Sequence, residues 1–185
     1  MLVRASFSLI VPLQDAIATR FYDRLFETAP ELRSLFPHDL GEQKRKLISL
    51  LGTCIGRLHD FSALAPRIRE LGARHGRYGA TRHHYAIVAE ALCFALALGL
   101  GVAFNAKLRS AWVKVYDLLA KTMQAGADAA ELGASSSRSL PKDLLRKAAK
   151  KHPLSCTRFR RHRVRCFMEQ EVRHGEKAVY AGVQA

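Results

Sequence analysis

The chain has 185 residues and is 49% apolar, enough for one ordinary domain with a sizeable core plus an appendage. Its net charge of +14 is uneven: residues 135–185 hold thirteen Lys/Arg against four Asp/Glu, so an acidic partner belongs at that end. Four cysteines (Cys54, Cys93, Cys156 and Cys166) without a C-x-x-C exclude a disulfide scaffold or a knuckle-type zinc site and fit a reducing cytoplasm.

From the N-terminus, the apolar stretch Ala5–Leu13 is too short to span a bilayer and lacks a small-residue cleavage site. Period-3.6 patterning predicts a helix over 12–27, with Ile17, Phe21 and Leu25 on one face and Pro12 in its first turn. Pro30 starts a short helical turn through Leu35, and Phe36-Pro37-His38-Asp39 makes a corner. A longer helix is predicted over 41–60, with Leu47, Leu50, Leu51, Cys54, Ile55 and Leu58 inward. Leu64, Ile68, Leu71 and His75 step by four, three and four, which makes one stripe ending in a histidine. Gly76 and Gly79 close that element. Thr81 caps an apolar helix over 83–98, broken by Gly99 and Gly101; Glu90 marks it as a core helix rather than a membrane span. The last core helix is predicted over 105–125, burying Leu108, Trp112, Val115, Leu119 and Met123. From Gly126 the composition turns to Gly, Ala and Ser, then to Lys and Arg. Nothing alternates with period two, and there is no internal repeat.

His75 is the residue on which chemistry can be built. Alone, a histidine at a helix end is more often a partner of the helix dipole. Its stripe, however, points the ring inward, as an axial ligand of haem iron requires. Arg74 could then reach a haem propionate. Tyr85, ten residues on, could reach the back of the imidazole, with Tyr116 joining it. On the opposite face, Tyr22 and Gln43 could donate to a charge-rich diatomic ligand, a bond worth ~1.5–3 kcal/mol or roughly 10- to 150-fold in affinity. Phe36 and Leu47 would be apolar core in any all-helical fold.

The ordered set Phe21-Tyr22-x-x-Leu25-Phe26, Pro30-Glu31-Leu32-x-x-Leu35-Phe36, Gln43 with Leu47, Arg74-His75, Tyr85-x-Ile87-Val88 and Ala111-Trp112-x-x-x-Tyr116 resembles the globin family. The likeness is to bacterial single-domain haemoglobins and the globin half of flavohaemoglobins. The resemblance implies an all-α, three-over-three globin fold over 1–126, with 127–185 a linker and a basic tail expected to be disordered. It implies haem b as cofactor, with His75 as the metal ligand, Tyr22 and Gln43 as distal donors, Phe36, Leu47 and Val88 around the pocket, and Tyr85 behind the histidine. The chain departs from the family in three places. Only eleven residues precede Pro12, the corner after Phe36 is brief, and Ala125–Ala127 with Asp128 stand where flavohaemoglobins place a glutamate.

The function implied is reversible binding of dioxygen, with nitric oxide and carbon monoxide as further ligands, for oxygen binding, transport or storage. The alternative is a nitric oxide dioxygenase. With no G-x-G-x-x-G in the chain, that activity would need an external reductase. A third reading rests on Arg158–Arg165, a basic run that could contact an anionic polymer or membrane through counterion release.

Overall fold

The computed structural model describes residues 2–138; the basic run Arg158–Arg165 and Cys156 and Cys166 lie outside the described residues. The described residues form six α-helices and no strand: α1 Leu2–Ile10, α2 Gln14–Thr28, α3 Gly41–Gly56, α4 Phe61–Arg77, α5 Arg82–Leu100 and α6 Ala106–Arg138. Short 3₁₀ turns link them at Val11–Leu13, Pro30–Leu35, Leu58–Asp60 and Gly101–Ala103.

The predicted apolar faces meet in one main core. α2 lies against both α5 and α3, and α1 touches α3 and α5. Ile17, Phe21 and Leu25 from α2 pack with Ile87, Ala91, Leu92, Ala95 and Leu96 from α5 and with Leu108 and Trp112 from α6. A second cluster joins Cys54 of α3, Leu64 and Ile68 of α4 and Leu119 of α6. The brief N-terminal stretch is itself a helix. α1 buries Val3, Ser6 and Ile10, and the Trp112 indole N–H donates to Ser6 Oγ at 3.0 Å, so the buried serine satisfies the buried indole.

Segments Leu2–Thr28 and Arg82–Ala103 are long and apolar enough to cross a membrane by length and composition. In α5 the inward residues nonetheless serve the core, while Glu90 receives Arg24 at 2.7 Å on the outer side.

Four local expectations are corrected. Leu50 faces outward, and Ile48 takes its place in the buried set. α3 ends at Gly56 rather than residue 60, leaving Leu58 in a 3₁₀ turn. Gly99 does not break α5: it sits inside the helix because a Cβ there would come within 2.6 Å of Ile17 Cδ1, and the chain turns only at Gly101, whose φ is +53°. Finally, α6 does not stop at Ala125 but runs through the segment read as linker to Arg138. Gly126 causes no break because it is a packing position; a Cβ on it would fall 1.9 Å from the Arg69 carbonyl oxygen of α4. The residues that follow, Ala127 to Leu132, are good helix formers.

Candidate functional site

α4 and α6 meet backbone to backbone. A Cβ on Gly72 would fall 1.8 Å from the Met123 carbonyl oxygen, the reciprocal of the Gly126–Arg69 approach. One turn on, a Cβ at Gly76 would lie 3.1 Å from Ala127 Cβ. No larger residue fits at Gly72 or Gly126 without parting the helices. This crossing fixes the last turn of α4, which carries Arg74 and His75.

His75 is half-buried there, and its Nδ1 lies 2.9 Å from the Leu71 carbonyl oxygen. A carbonyl can only accept, so Nδ1 carries the proton and Nε2 keeps its lone pair. Burial lowers the imidazole pKa from its usual value; the Arg74 charge adds to this, while the Leu71 bond opposes it. The result is a neutral imidazole with one nitrogen free to ligate a metal. The backbone turns tightly behind it, with the N–H groups of Tyr78 and Ala80 donating to the His75 carbonyl at 3.1 and 3.0 Å.

Tyr85 and Tyr116 come together, though not through their two hydroxyls. The Tyr116 hydroxyl donates to the Tyr85 backbone carbonyl at 2.8 Å. The Tyr85 hydroxyl is buried without a hydrogen-bond partner among the described residues. Burial raises both phenol pKa values; Asp128 adds to the effect at Tyr85, and Tyr85 and Asp117 add to it at Tyr116. Asp128, the acid nearest the place of the family's glutamate, is held by Arg82 at 2.7 Å. The Nδ1 proton of His75 therefore rests on a backbone carbonyl rather than a carboxylate.

Tyr22, on α2, is buried to 3% exposure inside an aromatic group. Phe21 meets it edge-on at 4.9 Å, Phe36 edge-on at 5.7 Å and Phe26 at 5.9 Å. Its hydroxyl points at α3 and donates to the Gln43 backbone carbonyl at 3.5 Å, a long bond. Burial pushes the hydroxyl pKa up to about 12, partly offset by the amide side chain of Gln43, so it stays a donor through neutral pH. Gln43 is half-buried in the first turn of α3; Phe36, Leu47, Val88 and Tyr116 pack against the same apolar cluster as Tyr22.

Two features of this region went unread in the sequence. Arg33 clamps the corner: its guanidinium donates to the carbonyls of Phe36, Pro37 and His38 at 3.2, 2.9 and 3.0 Å and lies over the Phe26 ring. That clamp fixes Phe36 in spite of the short corner. Lys44 reaches α2, donating to Thr19 Oγ1 at 2.8 Å. A pattern of apolar spacing carries no trace of either, because both contacts are made by polar side chains, which such a pattern leaves out.

A family model for globins matches residues 19–123. Among curated proteins, neuroglobin from Tetraodon nigroviridis is 27% identical over 139 residues, covering 68% of this chain and 87% of its own length. Flavohemoprotein from Bordetella parapertussis is 30% identical over 140 residues, covering 74% of this chain, which spans 35% of that relative. Among solved structures, an engineered carbene transferase made from a Rhodothermus marinus protein matches with TM-score 0.65 and 33% identity over 72% of this chain and 94% of that one. The helices, their order and these likenesses agree, and the chain belongs to the globin family.

Proposed function

We propose that this globin binds dioxygen reversibly at haem b, with His75 Nε2 as the protein ligand to iron. The observation that carries the reading is the His75–Leu71 bond, which leaves a neutral imidazole with its second nitrogen free. When bound, haem supplies ferrous iron able to take up dioxygen, nitric oxide or carbon monoxide. Tyr22 and Gln43 serve as distal donors, Tyr22 by turning its hydroxyl from the weak bond it makes to the Gln43 carbonyl. Phe36, Leu47 and Val88 form the apolar surround, which keeps water from a charge-rich ligand. Arg74, half-buried beside His75, would supply a positive charge for a propionate, and Tyr85 with Tyr116 would support the histidine side. The unpartnered Tyr85 hydroxyl fits a polar group that a bound cofactor would add. A reducing cytoplasm suits the two buried free thiols, Cys54 and Cys93.

A second reading, nitric oxide dioxygenation with a separate reductase, is favoured by the likeness to the Rhodothermus marinus structure, engineered from a putative nitric oxide dioxygenase. Absorption spectra of the haem-loaded protein separate the readings. A five-coordinate ferrous form with a lasting oxygen complex supports reversible binding. Rapid conversion to ferric protein and nitrate on adding nitric oxide, repeated when a flavin reductase and nicotinamide are supplied, supports the dioxygenase. Absence of stoichiometric haem would refute both.

A further inference from the structure

α2 carries Tyr22 and α3 carries Gln43, so the gap between these helices determines where both side chains stand. The Tyr22–Gln43 contact at 3.5 Å is too long to hold that gap. A shorter cross-link lies beside it. The Lys44 ammonium, next in sequence to Gln43, donates to Thr19 Oγ1 at 2.8 Å, one helical turn before Tyr22. The Thr19 hydroxyl in turn donates to the Asp15 carbonyl at 2.7 Å, so its single proton is committed and its lone pair faces the lysine. Lys44 makes no ion pair among the described residues, whereas Lys46, two positions on, has Glu42 at 2.9 Å. Among the described residues the hydroxyl on the neighbouring helix is the ammonium's hydrogen-bond partner, and that bond places it. The Lys44 backbone N–H also donates to the Leu40 carbonyl at 2.8 Å, which anchors the first turn of α3 where the tie attaches.

We propose that Lys44 and Thr19 are positioning residues, forming an interhelical tie that sets the Tyr22 hydroxyl and Gln43 at the right height over a bound ligand. The inference rests on the reading of Tyr22 and Gln43 as distal donors. Neither tie residue needs to touch the ligand. Their effect passes through the two donors, because a donor displaced by a few tenths of an ångström loses alignment with its acceptor.

The test uses the full haem-loaded chain. Lys44→Met keeps most of the apolar stem and removes the donor; Thr19→Val keeps the shape and removes the hydroxyl, and Thr19→Ser restores it. Lys44→Met and Thr19→Val should each raise the oxygen dissociation rate about 3- to 10-fold, below the roughly 10- to 150-fold available from the donor bond itself. Both should shift or broaden the carbon monoxide stretching band, and Thr19→Ser should resemble the parent. In a Tyr22→Phe background each substitution should add a clearly smaller increase, because the tie then has only Gln43 left to position. Amide exchange at Gln43 and Lys44 should quicken in Lys44→Met, with protection at Leu96 and Trp112 unchanged. Parental rates and band in Lys44→Met would overturn the proposal, as would an equal increase with Tyr22 absent, which is what general loosening would produce. If Tyr22→Phe alone leaves oxygen dissociation unchanged, the distal reading itself falls and the tie with it.

Discussion

Gly72→Ala is the most direct test of how the proximal helix is held. The added Cβ would stand 1.8 Å from the Met123 carbonyl oxygen and 2.4 Å from its carbon, where ordinary contact begins near 3.4 Å. The obstacle is backbone, so no rotamer change relieves it, and the helices must part by about 1.5 Å at the crossing. Sliding the other way is blocked by Gly126, whose own Cβ position is filled by the Arg69 carbonyl. Removing a helical glycine favours the helix by roughly 1 kcal/mol, and overpacking of this kind costs ~1–3 kcal/mol or more, so the steric effect wins. A net loss of up to about 2 kcal/mol should lower Tm by as much as several degrees in a domain of this size. His75 lies three residues further along α4 and moves with it, so the iron–histidine stretching band of the ferrous protein should shift as well. Gly56→Ala is the control: its Cβ meets nothing within 4 Å, and the variant should match or slightly exceed the parent in Tm. An unchanged Tm and iron–histidine band in Gly72→Ala would refute the account of the crossing.

His75→Ala should lose the histidine-ligated spectrum or most of the haem, while His83→Ala and His84→Ala keep both, as haem titration with absorption spectroscopy would register. Parental spectra in His75→Ala would remove it as the ligand. Tyr22→Phe should speed oxygen dissociation roughly 10- to 150-fold in a stopped-flow displacement measurement, the range expected for a lost hydrogen bond to a charged acceptor. The same residue makes stability depend on alkaline pH. In the unfolded chain its hydroxyl ionises near 10, while burial holds the folded group to about 12. Its contribution is therefore complete below pH 10 and is lost as pH rises through the interval to 12, by about 3 kcal/mol. Urea titrations between pH 9 and 12 should show a flatter pH dependence in Tyr22→Phe than in the parent; equal slopes would place the hydroxyl in water. Arg33→Met should release the corner carbonyls and lower Tm by a few degrees, with an unchanged Tm showing that Phe36 is held by its aromatic neighbours alone.

The helical order, the inward faces and the likeness to a known family were legible in the linear chain because burial imposes a period of 3.6 on apolar residues. Leu64, Ile68 and His75 could be placed on one stripe, and Tyr22, Phe36 and Gln43 could be put in sequence before any helix was packed. Where elements end was less legible. Gly99 and Gly126 read as breakers because glycine is favoured at helix ends, yet each lies inside a helix that another backbone or side chain approaches too closely for a Cβ. The same composition serves both purposes, and only the partner element tells them apart.

Hydrogen bonds between distant residues were decided by tertiary structure alone. The sequence determined that a histidine would stand at the inner end of a helix. That Tyr116 meets the carbonyl of Tyr85 rather than its hydroxyl, and that Arg82 holds Asp128, are consequences of packing. Lys44 and Thr19, twenty-five positions apart, carry no pattern that announces their bond. Apolar burial is set by local periodicity and averages over many residues, whereas a polar contact depends on angles and distances that exist only once the helices have crossed.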